Sequence, residues 1–138
     1  MKVVLDQQSL QIISYFEKKT RAQVKDIIES ENNTIFVVMP GEASKAIGKG
    51  GANIRELSDK FKKTVKVVEF SPDINVFIAN LIKPNKVENI TREGEVITLH
   101  PVDYKNRGFI IGRNATTLRQ TEYIVKKYFP DVKELKVA

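Results

Sequence analysis

The sequence predicts an α+β fold in which one arrangement is used twice. Three observations carry this. A glycine-rich turn holding one basic residue occurs at Ile47-Gly48-Lys49-Gly50-Gly51 and again, 64 positions on, at Ile111-Gly112-Arg113-Asn114-Ala115. Each turn joins a short helical segment to a longer amphipathic helix. Each is preceded by a helix and two strands and followed by a third strand, so the order α-β-β-α-turn-α-β is read twice in 138 residues.

Taken in order, Met1 to Leu5 is a short apolar opening. Asp6 is placed to cap a helix through about Lys19, with Leu10, Ile13 and Phe16 at three-residue steps on its inward face. Gln23 to Glu29 reads as a strand, Ser30-Glu31-Asn32-Asn33 as a turn, and Thr34 to Met39 as a strand of β-branched and aromatic residues ended by Pro40-Gly41. Glu42 to Ile47 is a short helical segment before the first glycine turn. Gly51 to Lys62 is a helix with Ile54, Leu57 and Phe61 on one face, and Val65 to Phe70 is a strand.

The second copy starts at once. Ser71 is expected to cap a helix with Pro72 at its first position, ended by Lys83-Pro84. Lys86 to Arg92 and Glu95 to His100 form a hairpin about Glu93-Gly94, and Pro101 breaks the second strand. Asp103 to Ile110 is a short helix before the second turn. A helix from Ala115 to about Tyr128 follows, with Leu118, Val125 and Phe129 inward, then a strand over Asp131 to Val137. No flexible segment separates the copies, so two units, residues 1–71 and 72–138, are expected to hold a fixed orientation. Phe36, Phe61, Phe77 and Phe129 are read as core.

Charge is placed unevenly. The net charge is +6, but Ala43 to Arg55 and Tyr104 to Thr121 together hold seven cations and no acid, while the remaining residues carry 16 bases against 17 acids. The excess charge thus surrounds the two turns, which points to a polyanion. Glycines let a sugar-phosphate chain approach bare backbone, and a helix starting at the turn offers unpaired amides and a positive dipole end to a phosphate. Lys49 and Arg55 add charge at the first turn, and Arg113 and Arg119 at the second. The residues expected to touch nucleic acid are therefore Ile47, Gly48, Lys49, Gly50, Gly51, Ile54 and Arg55, and Ile111, Gly112, Arg113, Asn114, Ala115 and Arg119. The Ala115 β-carbon is expected to push a bound strand away, so that the second site binds less well or serves mainly in domain packing. No aromatic interleaving is read in either window, so stacking is not expected.

Other functions fare worse. The chain has no cysteine, which excludes disulfides and thiolate chemistry. His100 is the only histidine and sits at a strand end, read as a residue with a local partner. Gly41 to Lys49 fails the P-loop pattern: six residues separate Gly41 from Gly48 and glycine follows the lysine. The chain is read as a cytoplasmic non-enzyme without cofactor or metal, a monomer with no membrane contact.

Helix, two strands, helix-GxxG-helix and a third strand resembles the prokaryotic-type (type II) KH domain, twice. Ile47-Gly48-Lys49-Gly50-Gly51 fits the KH signature, and Ile111 to Ala115 fits it with alanine in place of the last glycine. The joint Val67-Val68-Glu69-Phe70-Ser71-Pro72-Asp73, with Phe77-Ile78-Ala79-Asn80 and Lys83-Pro84-Asn85-Lys86-Val87, resembles the segment between the KH domains of the NusA family, in its short archaeal form. The resemblance implies tandem type II KH domains, each a three-stranded mixed sheet with helices packed on one face. It implies single-stranded RNA as ligand, clamped four nucleotides at a time in a groove that Ile47, Ile54, Ile111 and Leu118 could floor beneath the bases, a role in transcription elongation or termination, and RNA polymerase as a further partner. The competing reading is an adaptor on polymerase or another factor whose KH folds do not clamp RNA.

Overall fold

A computed structural model describes residues 7–30 and 33–138. The apolar opening, the Asp6 cap and the turn residues Glu31 and Asn32 lie outside the described residues. The chain divides between Ser71 and Pro72 into two compact units.

In the first unit the order is α1 (Gln7–Thr20), β1 (Val24–Glu29), β2 (Asn33–Val38), α2 (Ala43–Ile47), the first turn, α3 (Ala52–Phe61) and β3 (Thr64–Glu69). The sheet order is β1-β2-β3, with β1 antiparallel and β3 parallel to the central β2. β2 is the most β-prone stretch of the chain and is buried along all but its first residue. Phe36 on β2 stacks on Phe16 of α1, ring centroids 4.0 Å apart and 14° from parallel. Ala46 of α2 and Leu57 of α3 close on the same cluster, so both helices flanking the turn are anchored in the core. The inward face of α1 differs from expectation. Leu10 is 53% exposed, while Ser9 is buried and donates to Glu29 Oε2 at 3.0 Å. Ser9 thus meets a polar partner on β1, and the helix face runs through Ser9, Phe16 and Thr20.

The second unit repeats the order with α4 (Ile74–Ile82), β4 (Val87–Glu93), β5 (Val96–Pro101), α5 (Tyr104–Ile111), the second turn, α6 (Thr116–Tyr128) and β6 (Glu134–Val137). Its sheet order is β4-β5-β6, with β4 antiparallel and β6 parallel to β5. Phe77, Ile78, Leu99, Ile124, Val125 and Leu135 form its buried interior. Each sheet is three-stranded and mixed, in an α+β fold.

Several boundaries move, each for a local reason. The cap of α4 is Asp73, whose carboxylate accepts from the amides of Asn75 and Val76, so Ser71 and Pro72 precede the helix rather than begin it. Asn33 belongs to β2 rather than to a turn, pairing with Thr64 of β3. Pro101 closes β5 from within, as its last residue. β6 is shorter than expected because Val132 N–H turns back to the Phe129 carbonyl, and pairing with β5 begins only at Glu134. His100 has a local partner: its Nε2 lies 2.9 Å from Thr91 Oγ1 across the hairpin.

Candidate nucleic-acid interface

The two turns have one backbone. Gly48 has φ 80°, ψ 166° and Gly112 has φ 75°, ψ 174°. Two left-handed residues follow in each: Gly50 (61°, 21°) and Gly51 (78°, 16°) in the first, Asn114 (55°, 32°) and Ala115 (59°, 19°) in the second. Both are closed by the same pair of bonds. Gly48 N–H donates to Ser44 O and Gly51 N–H to Gly48 O; Gly112 N–H donates to Gly108 O and Ala115 N–H to Gly112 O.

The opening glycine is required twice over. Its φ and ψ lie where essentially only glycine goes. A β-carbon on Gly48 would stand 2.8 Å from Asn53 Cγ and 3.0 Å from the Asn53 amide nitrogen; one on Gly112 would stand 2.7 Å from Thr117 Cβ and 2.9 Å from the Thr117 amide nitrogen. A β-carbon on Gly50 would meet nothing within 4 Å. The Ala115 methyl is accommodated with the turn geometry unchanged, at the cost of about 1 kcal/mol for placing an L-residue in the left-handed region.

α3 and α6 start directly at the turns, and neither has a side-chain cap on its first amides. α4 and α5 do, from Asp73 and Asp103. Ala52 N–H and Thr116 N–H close on the Lys49 and Arg113 carbonyls, while the dipole ends and the later first-turn amides of both helices carry no side-chain cap and face an anion.

Of the residues expected at the interface, Lys49, Gly50, Arg55, Arg113, Asn114 and Arg119 are exposed, and Ile47, Gly48, Gly51, Ile54, Ile111, Gly112 and Ala115 are half-buried. Leu118 is not available as a groove floor: it is 5% exposed and belongs to the core. The cations sort into four groups. Lys49, Lys105 and Arg113 have no ion pair or side-chain hydrogen bond among the described residues. Arg55 folds back on its turn and donates from Nη1 to Gly50 O at 2.6 Å, which sets its guanidinium beside the turn with other N–H groups to spare. Lys45 and Arg119 are paired, with Glu42 Oε2 at 2.7 Å and Glu122 Oε2 at 2.8 Å. The Lys45 ammonium, and after it the Gln23 amide, hold the Glu42 carboxyl below its ordinary pKa. Arg107 Nε donates to the Ala138 carbonyl. The acid-free windows thus overstated the free charge, because each pair uses an acid standing just outside its window. The i,i+3 spacing of Glu42 with Lys45 and of Arg119 with Glu122 was the available signal.

The fold and the turns define a KH-type nucleic-acid-binding architecture, and comparison with known proteins agrees. A KH domain profile matches residues 11–87, more than half of the chain, and the chain belongs to the KH-domain family. It is an archaeal NusA-like KH protein with two such units in tandem. It is 29% identical over 140 residues to the probable transcription termination protein NusA of Halococcus morrhuae, covering 100% of both chains. It is 38% identical over 90 residues to the protein of that name from Methanococcus vannielii, a match covering 65% of this chain and about half, 52%, of the relative. Among solved structures, the crystal structure of APE1850 matches with a TM-score of 0.75 at 27% identity, over 97% of this chain and 100% of that one. Among the described residues no helix is long and apolar enough to cross a membrane.

Proposed function

We propose that this chain binds single-stranded RNA through its two turn–helix junctions, as two KH domains in tandem acting in transcription elongation or termination. One observation carries the reading: two turns of matching backbone, each with an uncapped helix start behind it and, among the described residues, an unpartnered cation at its tip, Lys49 or Arg113. A phosphate at the tip would receive a full charge and backbone amides together. Kinship with proteins named as transcription termination factors supports the process.

The clamp takes one backbone with its bases splayed, so unstructured RNA binds more tightly than a duplex of the same length. Filter binding with both RNAs at several salt concentrations tests this. Equal or tighter binding of the duplex overturns the reading, and no binding of either returns the chain to the adaptor reading.

A further inference from the structure

We infer that the second unit carries a base-stacking platform, Phe109 on α5, which receives an unpaired nucleobase of the strand whose phosphate Arg113 holds; this rests on the RNA reading above. Phe109 is 59% exposed and makes no ring or cation–π contact among the described residues. A lone exposed apolar residue usually means little. Its address is what matters. Phe109 lies three residues before Gly112 and four before Arg113, so it stands one helical turn from the phosphate-friendly tip. Lys105, four residues earlier, lies on the same helix face, and no acid occurs from Tyr104 to Thr121.

Alignment on the opening glycines sharpens the case. The residue three before Gly48 in the first unit is Lys45, a charge tied to Glu42. Where the first unit has a neutralised ion pair, the second presents an open aromatic face. Stacking on a π face tolerates any base, which suits a strand fixed by its backbone rather than read by its edges. The surrounding charge selects the occupant: an anionic strand complements the Lys105 and Arg113 flanks, and an apolar protein surface would leave those charges facing it. Tyr104 is still more exposed, at 85%, but lies five residues away, about 140° around the helix, and serves as the control.

The test uses the full chain and short unstructured RNA, with an abasic site moved through the strand one position at a time. Phe109→Ala is expected to weaken binding roughly tenfold, within the range for loss of one aromatic stack, with an unchanged salt slope and unchanged circular dichroism. Tyr104→Ala leaves affinity alone. For the unaltered protein one abasic position costs a similar factor, and on that RNA Phe109→Ala costs nothing more. Phe109→Trp keeps the affinity, and because the chain has no tryptophan of its own, the single indole reports stacking by quenching when RNA binds. Wild-type affinity of Phe109→Ala on an RNA the parent protein binds overturns the platform and leaves the RNA reading standing. A Phe109→Ala loss that adds to every abasic loss also overturns it, and points to a protein-facing ring. Failure of the parent protein to bind any single strand overturns both.

Discussion

The two turns share their backbone and differ in what their side chains are free to do. Arg55 and Arg119 occupy the same place, four residues after the last turn position, yet Arg55 rests on its turn and Arg119 is held by Glu122. The cause lies three residues on. Ser58 and Glu122 are equivalent and serve the same structural end. Each accepts a backbone N–H from the third strand of its unit, Val65 at 3.2 Å and Leu135 at 2.9 Å. A hydroxyl does this without charge. A carboxylate does it with a charge that captures the nearest arginine. A difference in how helix is joined to strand therefore reaches the ligand side of the same helix. The floor differs too, with Ile54 half-buried where its counterpart Leu118 is core.

The comparison breaks first, and with the largest effect, at the opening glycines. Gly48→Ala and Gly112→Ala should each destabilise the protein by about 3 kcal/mol, combining a glycine-only conformation with a β-carbon driven into backbone. Gly50→Ala, open to solvent, should cost only about 1 kcal/mol. Denaturant unfolding of the three variants checks this. If Gly48→Ala and Gly50→Ala cost the same, the close approach of Asn53 is relieved by movement and the first glycine is not special.

Next come the tips. Gly50→Asp puts a carboxylate where a phosphate should sit, in a left-handed conformation that aspartate tolerates better than most residues. It should stay folded by circular dichroism and lose roughly tenfold or more in RNA affinity, the order expected when a charge-assisted contact becomes a repulsion. Arg113→Asp should lose less, because the first turn also has Arg55 beside it. With Lys49, Arg55, Lys105 and Arg113 as the available cations, the log–log salt slope on single strands should be roughly −3, at about −0.7 per phosphate. A larger loss from Arg113→Asp reverses the ranking of the sites.

How much of this was legible in the sequence follows from what each feature depends on. The repeated order and the exposed tips were legible because they rest on local signals: β-branched runs, glycine positions and helical periodicity; the mixed sheets came from the resemblance to KH domains. The partners of Lys45 and Arg119 were misread because the charge count stopped at window edges while helix geometry reaches three residues past them. Leu10 was misplaced because three-residue steps drift around a helix: it lies about 120° from Phe16, while Ser9, seven residues before Phe16, stays on the inward face. The backbone of the second turn matches that of the first, so the Ala115 methyl leaves the turn geometry unchanged. Phe109 left no signal because a pattern of interleaved aromatics does not register a single ring beside a turn.

A smaller effect separates the last turn positions. Ala115→Gly should stabilise the second unit by up to about 1 kcal/mol, the left-handed penalty less the entropy glycine adds to the unfolded chain. Gly51→Ala should destabilise the first by a similar amount. Paired unfolding measurements in which both changes are neutral would show that this conformation costs nothing here.

The smallest expected effect addresses the asymmetry of the arginines directly. Glu122→Gln keeps an oxygen for the Leu135 amide, so the anchor of α6 on β6 survives, but it removes the charge 2.8 Å from Arg119. The ion pair itself is worth little, because the Arg119 side chain is half-exposed and such pairs contribute at most about 1 kcal/mol. Stability should change little, and RNA affinity should rise about two- to threefold at low salt as one more cation becomes available. The sharper readout is the salt slope, which should steepen by about 0.7, one phosphate's worth on a single strand. Arg119→Gln should do nearly nothing in the parent protein and should cancel the gain when combined with Glu122→Gln. Arg55→Gln should flatten the slope in either background. A folded Glu122→Gln protein with an unchanged slope would mean that Arg119 does not face the strand even when freed, and that the second turn holds its phosphate with Arg113 and backbone amides alone.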